Sequence, residues 1–78
     1  MSRRDLVHVL TALADAAHAD VGVGVPVSVI DRAIGRGADD MRTPLNLEAL
    51  AADGLVERMP DGSWALTQAG VERLREDA

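Results

Sequence analysis

The stretch Leu47–Gly70, with the sequence LEALAADGLVERMPDGSWALTQAG, constrains the fold of this chain more than any other part. Its first segment, Leu47-Glu-Ala-Leu50, places two leucines on one face of a predicted helix. Gly54 then supplies the left-handed residue that commonly follows a helix end. The Asp61-Gly62 pair, between two short strand-like runs, is a strong hairpin signal, and Thr67 is a preferred N-cap for a further helix. The stretch therefore predicts a helix, a hairpin and a second helix.

These signals resemble, in order and spacing, the second half of a winged helix-turn-helix domain. The matching segments are Leu50-Ala-Ala-Asp-Gly54-Leu55-Val56, the Asp61-Gly62 turn and Leu66-Thr67-Gln-Ala-Gly70. The resemblance implies an α+β winged helix-turn-helix fold with a three-helix core, a short first strand, a two-stranded wing and a C-terminal helix. It also implies a single domain over residues 1–78, similar to the small MarR- and PadR-like transcriptional regulators, which bind duplex DNA as homodimers.

Length and composition fit one small domain outside the membrane. The 78 residues include no cysteine, and no apolar run approaches the roughly 18 residues that span a bilayer. We therefore expect a cytoplasmic protein with no membrane contact. A chain of this size buries a limited core, so a homodimer would add stability. The first and last helices are the expected dimer contacts, because no dedicated dimerisation helix extends beyond the domain.

The first half of the chain predicts two helices separated by a short strand. Apolar spacing indicates a helix from Arg3 to about Ala19. The valine alternation that follows indicates a loop through Gly24 and a short strand around Val25–Val27. Ser28 and Asp31 form a capping-box-like start of a second helix. Gly35 and Gly37 should end that helix after about two turns, and Gly35–Asp39 would form the turn of the helix-turn-helix.

The third helix should lie between Asp40 and Asp53, and Pro44 leaves two possible starting points. In the more economical interpretation Thr43 is the N-cap and Pro44 the first helical residue, since proline is tolerated there. Leu45, Leu47 and Leu50 would then follow in a helix of about ten residues. In the alternative the helix starts near Asp39 or Asp40 and kinks at Pro44.

The candidate DNA-binding residues follow from the resemblance, which places the start of the third helix in the major groove. Arginine suits guanine, asparagine suits adenine, and threonine suits either a base or a phosphate. Arg3 and Arg4 could reach flanking phosphates from the first helix. The predicted DNA-binding set is Arg32, Arg36, Arg42, Thr43, Asn46 and Arg58.

The charge balance of this region leaves a second hypothesis open. From Ser28 to Trp64, four arginines stand against seven acidic residues, whereas phosphate neutralisation supplies most nonspecific DNA affinity. The alternative is a winged helix that binds a protein partner and no DNA. Trp64, the lone aromatic residue, is expected to pack beneath the wing, and an exposed partner contact is its alternative role.

No catalytic, cofactor or metal site is expected in this sequence. His8 and His18 lie ten residues apart and do not share a helical face, so they do not form a pair of metal ligands. Each of the three serines has a capping or turn role, and no set of nucleophile, base and orienting group is present. The sequence therefore predicts a binding protein and not an enzyme.

Overall fold

The structure, a computed structural model that describes residues 3–37 and 41–77, has an α+β architecture. Four helices are combined with one two-stranded antiparallel sheet, which confirms the predicted fold class at this level. The elements in chain order are α1 (Arg3–Ala16), α2 (Val27–Ile34), α3 (Arg42–Ala52), β1 (Val56–Arg58), β2 (Trp64–Leu66) and α4 (Gln68–Asp77).

The predicted hairpin is formed by β1 and β2. Val56 pairs with Leu66, and Arg58 pairs with Trp64 at the end next to the turn. The turn is closed by the Met59 N–H, which donates to the Ser63 carbonyl oxygen at 2.8 Å. Gly62 adopts a φ of 89°, a conformation that glycine reaches without steric cost. The Asp-Gly signal therefore predicted both the turn and the pairing of its flanks.

Inside this turn, Ser63 holds the carboxylate of Asp61. The Ser63 hydroxyl donates to Asp61 Oδ1 at 2.6 Å, and the Ser63 backbone N–H donates to the same oxygen at 3.0 Å. The hydroxyl bond is the larger cause, and together the two bonds lower the pKa of Asp61 below its ordinary value. Because the folded-state pKa is lowered, the resulting stabilisation is present above the unfolded-state pKa and is lost as the pH falls through the folded-state pKa.

Replacing Ser63 with alanine should raise the pKa of Asp61 towards its ordinary value, because the larger of the two stabilising bonds is removed. A carboxyl-carbon NMR titration of Asp61 measures this shift. Ser28→Ala is the matched control, since Ser28 is exposed on α2, and it should leave the lowered pKa of Asp61 in place. An unchanged titration in Ser63→Ala would contradict the hydrogen-bonding arrangement of the turn.

Three predicted helix boundaries are confirmed by their capping geometry. Gly35 ends α2 with a φ of 79°, and Gly54 follows α3 with a φ of 76°. At the start of α4, Thr67 Oγ1 accepts a hydrogen bond from the Gly70 N–H at 3.1 Å. The same hydroxyl donates to the Gly54 carbonyl oxygen at 2.6 Å. Thr67 therefore caps α4 and also ties it to the residue that follows α3.

The prediction of a short strand at Val25–Val27 was wrong. Within this predicted strand, Val25 alone pairs with the sheet, through two backbone hydrogen bonds of 2.8 and 2.9 Å to Trp64. Pro26 follows with a φ of −65° and an extended ψ and is the N-cap of α2, so Val27 is already helical. Proline also lacks the N–H that a longer ladder would need.

The start of α2 and the end of α1 also differ from the sequence prediction. Helix α2 begins at Val27, and no side chain caps it, so Ser28 and Asp31 do not form a capping box. Ser28 is exposed, whereas Asp31 is buried. The first helix ends at Ala16, three residues before the predicted end, because the backbone turns into the left-handed region at His18 and Ala19.

The third helix starts earlier than the preferred interpretation predicted. Its N-cap is Met41, which makes Arg42 the first helical residue and Pro44 the third. Pro44 is tolerated there because the first N–H groups of a helix have no partner within it. Thr43 lies inside the helix and is not its cap. The predicted turn at Gly35–Asp39 extends into residues 38–40, which lie outside the described residues.

The core is assembled around α1, which packs against α2, α3, α4 and β2. Its fully buried side chains include Val9 and Leu13, which meet Ile30, Leu47 and Leu66 in one hydrophobic cluster. Trp64 is 6% exposed and belongs to this cluster, which confirms its predicted packing role and leaves no exposed ring for a partner. Within residues 3–37 and 41–77, no helix combines the length and apolar content needed to cross a bilayer.

Candidate functional site

Two of the predicted DNA-binding side chains lie in the interior of the protein. Thr43 is 0% exposed and Asn46 is 1% exposed, on the side of α3 that faces the core. They share this side with Leu47 and Leu50, which are also buried. In this arrangement neither side chain reaches the surface that a DNA duplex would meet.

The inward position of Thr43 and Asn46 follows from helical periodicity. Thr43 precedes Leu50 by seven residues and Asn46 precedes it by four, so all three lie on one stripe of the helix. Leu45 precedes Leu50 by five residues and falls about 140° away from that stripe. Counting helical positions from Leu50 would therefore have predicted that Thr43 and Asn46 face inward and Leu45 faces outward.

Arg36, predicted to contact DNA from the turn, instead joins three helices inside the protein. Its Nη1 donates to Thr43 Oγ1 at 3.0 Å, and its Nη2 lies 3.6 Å from Asp5 Oδ1. The side chain of Arg36 is 9% exposed and that of Asp5 is 35% exposed. A buried guanidinium with these partners fixes the segment after α2 against the starts of both α1 and α3.

The same region holds two buried polar atoms with unmet hydrogen-bonding capacity. Among the described residues, Asp31 Oδ1 and Asn46 Nδ2 are sealed from solvent and have no hydrogen-bond partner. An orphaned buried group of this kind costs about 1–3 kcal/mol. The burial of Asp31 was not predicted, because its sequence position three residues after Ser28 suggested a capping role at the helix start.

The remaining predicted arginines are exposed, and Arg32 and Arg42 line two different clefts. Arg32 lies on α2, where it lines a cleft together with Val27 and Ser28. Arg42, the first residue of α3, lines a different cleft, and Arg58 ends β1 without lining either one. Of the six predicted site residues, Arg36 and Thr43 are in direct contact, and Arg42 and Asn46 share a cleft.

The outward side of α3 carries apolar side chains. Met41 is 63% exposed and Leu45 is 51% exposed, and Glu48 follows at the next position on the same face. All large exposed hydrophobic side chains of the described residues lie in the segment from 21 to 45. They are Val21, Val23, Val29, Met41 and Leu45.

A scan against protein-family models and searches of curated proteins and of solved structures found no match to this chain. Among the described residues, no group of three or more histidine, cysteine or acidic side chains is arranged to hold a metal ion.

Proposed function

We propose that this chain is a winged-helix-like module that binds a protein partner through the outward side of α3. The observation that carries the proposal is the exposure of Met41 and Leu45 at 63% and 51%. Large apolar side chains at these positions suit a protein interface, where aliphatic and aromatic groups are desolvated together. The polar side chains that would read base edges, Thr43 and Asn46, face the core.

The order of the elements supports the winged-helix part of the proposal. A pair of helices, α2 and α3, precedes a β-hairpin, and a fourth helix follows it. Val25 pairs with β2 at the place where a winged helix has its short first strand. In this fold α3 is the exposed recognition helix, so its outward side chains determine the partner.

The charges around α3 and the hairpin favour a basic partner. The exposed charged residues from position 41 to 61 comprise two arginines and four acidic residues, which leaves two net negative charges. They are Arg42, Glu48, Asp53, Glu57, Arg58 and Asp61. We infer a partner segment in which apolar side chains that cover Leu45 are flanked by lysine or arginine, because complementary charge accelerates and orients docking.

Duplex DNA is the second candidate partner. It is favoured by the exposure of Arg32, Arg42 and Arg58, each on an element that meets DNA in a winged helix. Such contacts would position the duplex through its phosphates, because phosphate contacts alone carry no sequence information. A homodimer remains part of this second proposal, although the exposed faces of α1 and α4 are charged, with Arg4, Glu72 and Arg75 among their residues.

The experiment is site-specific photo-crosslinking followed by reconstitution. A photoreactive phenylalanine derivative at position 45 should capture one protein in the native cells, and the same group at the exposed position 72 on α4 should not. The captured protein is then purified, and its affinity is measured by calorimetry. Leu45→Glu should weaken that affinity by roughly 30-fold or more, as expected for a central apolar contact. Glu72→Ala should leave it unchanged.

A salt series on mixed-sequence duplex separates the two candidates. The protein-partner proposal expects no duplex binding even at low salt. The DNA proposal expects binding that weakens as salt rises, with a loss on Arg42→Ala. Salt-sensitive duplex binding, together with equal crosslinking at positions 45 and 72, would overturn the protein-partner proposal.

A further inference from the structure

We propose that Met41 is a site of reversible oxidation, and that its conversion to methionine sulfoxide by a hydroperoxide weakens partner binding at the start of α3. The regulatory effect rests on the proposed function, because Met41 and Leu45 form the apolar surface assigned there to the partner. The first step, selective oxidation of Met41, takes place without any partner.

Met41 is the most exposed large hydrophobic side chain of the described residues, at 63%. Met59 is half-buried in the hairpin, where its Cγ would lie 3.7 Å from a Cβ built on Gly24. Oxidation of a methionine requires a peroxide oxygen to reach its sulfur, so an exposed thioether reacts before a shielded one. The difference in exposure therefore selects Met41 over Met59.

The chemical step transfers one oxygen atom and two electrons. The Met41 sulfur attacks one oxygen of the hydroperoxide, so an S–O bond forms while the O–O bond breaks. The second oxygen takes up the proton of the transferred oxygen and leaves as water, or as an alcohol from an organic hydroperoxide. The sulfur is oxidised by two electrons and the peroxide is reduced by two. The product is a polar, chiral side chain in place of a flexible apolar one.

Oxidation of Met41 changes the surface and leaves the fold in place. Met41 is the N-cap of α3 through its backbone, with no hydrogen bond from its side chain to the helix. Its carbonyl oxygen accepts a hydrogen bond from the Leu45 N–H at 3.3 Å. The hydrophobic core cluster of the described residues does not include the Met41 side chain. The sulfoxide therefore acts on whatever covers this surface and not on the packing beneath it.

A sulfoxide at position 41 disfavours an apolar partner. Met41 and Leu45 are four residues apart and neighbours on one side of the helix, so a partner segment that covers Leu45 also covers Met41. Docking would then remove the sulfoxide oxygen, a hydrogen-bond acceptor, from water without supplying a donor. We expect the affinity to fall about ten-fold, as for an unsatisfied buried polar group.

The first measurement follows each methionine of the folded protein during exposure to dilute hydrogen peroxide. Trypsin cuts after arginine, so the three methionines fall in separate peptides, which cover residues 1–3, 37–42 and 59–73. By mass spectrometry, peptide 37–42 should gain one oxygen about three-fold faster than peptide 59–73, or more. In guanidinium chloride this ratio should fall towards one. Equal rates in the folded protein, or the same ratio in the unfolded chain, would overturn the selection of Met41 by its exposure.

The second measurement is the affinity for the protein captured at position 45. This chain alone is oxidised, and the peroxide is removed before the partner is added. Oxidised wild type should bind about ten-fold more weakly, and reduction by methionine sulfoxide reductases with a thiol should restore the affinity. Met59→Leu is the matched control and should show the same loss. Met41→Leu should bind equally before and after peroxide treatment.

Three results would count against the regulatory role, and they are distinguishable from one another. A partner whose binding is weakened by Leu45→Glu but unchanged by oxidation of wild type would overturn this role and leave the proposed function standing. An equal loss on peroxide treatment of wild type and Met41→Leu would assign the effect to another residue. Failure to capture a partner at position 45 would overturn the proposed function and the regulatory role together, while the peptide rates still decide the oxidation site.

Discussion

Replacing Gly70 with alanine should destabilise the protein by about 3 kcal/mol and lower its melting temperature by more than about 10 °C. A Cβ at this position would overlap the backbone carbonyl oxygen of Leu55 and lie 3.2 Å from both the carbonyl carbon of Leu55 and Cδ2 of Leu66. A backbone oxygen has no alternative rotamer, so α4 would have to move away from the core.

The sign of this effect runs against helix propensity. Gly70 lies in the first turn of α4, and alanine is favoured over glycine by about 1 kcal/mol in a helix interior. Propensity alone therefore predicts that Gly70→Ala stabilises the protein. The steric argument predicts the opposite and a larger effect, since overpacking a rigid contact costs about 1–3 kcal/mol or more.

Gly37→Ala is the matched control for this prediction. Gly37 is exposed, and its backbone is not in the left-handed region. A Cβ added to Gly37 would have no other atom within 4 Å. Alanine there should leave stability unchanged or raise it by about 0.4–1 kcal/mol, through a lower entropy of the unfolded chain. Thermal and urea unfolding of the two variants measure both effects. Equal stability of Gly70→Ala and Gly37→Ala would show that α4 does not approach Leu55 as closely as described.

Gly70 also shows which parts of the fold the sequence could predict. The Asp61-Gly62 turn, the glycines after α2 and α3, and the Thr67 cap depend on local backbone chemistry, and each was predicted at its residue. The close approach of α4 to Leu55 depends on residues fifteen positions apart, and no local signal marks it. For the same reason the start of α2 was misplaced, because Asp31 is buried by tertiary packing that a capping pattern does not reveal.

The candidate site was less predictable than the fold because its residues were chosen by type. Arginine, threonine and asparagine are the side chains that read DNA, and the resemblance placed them near the start of the third helix. Their orientation was decided by the helical stripe that buries Thr43 and Asn46 beside Leu47. Leu45, which lies on the same helix, is half exposed. Helical periodicity counted from Leu50 would have placed Thr43 and Asn46 on the buried side of the helix and Leu45 on the exposed side.

The most direct test of the interior position of Thr43 is at its partner Arg36. Arg36→Ala should lower the free energy of unfolding by about 2–3 kcal/mol. The substitution leaves the hydroxyl of Thr43, which is fully buried, without its donor. An orphaned buried group costs about 1–3 kcal/mol. It also removes the partner of Asp5, although the 3.6 Å separation and the partial exposure of Asp5 make that share small.

Arg32→Ala is the matched control, because Arg32 lines the same cleft as Arg36 but is exposed on α2. A surface substitution of this kind should change stability by no more than about 0.5 kcal/mol. Urea unfolding of both variants gives the comparison. If Arg36 instead acts as a phosphate contact, Arg36→Ala should keep the stability of the wild type, and the salt dependence of duplex binding should fall by about one unit of slope. The interior role requires the opposite pattern, a loss of stability confined to Arg36→Ala, because the Arg36 guanidinium then serves to hold α1, α2 and α3 together.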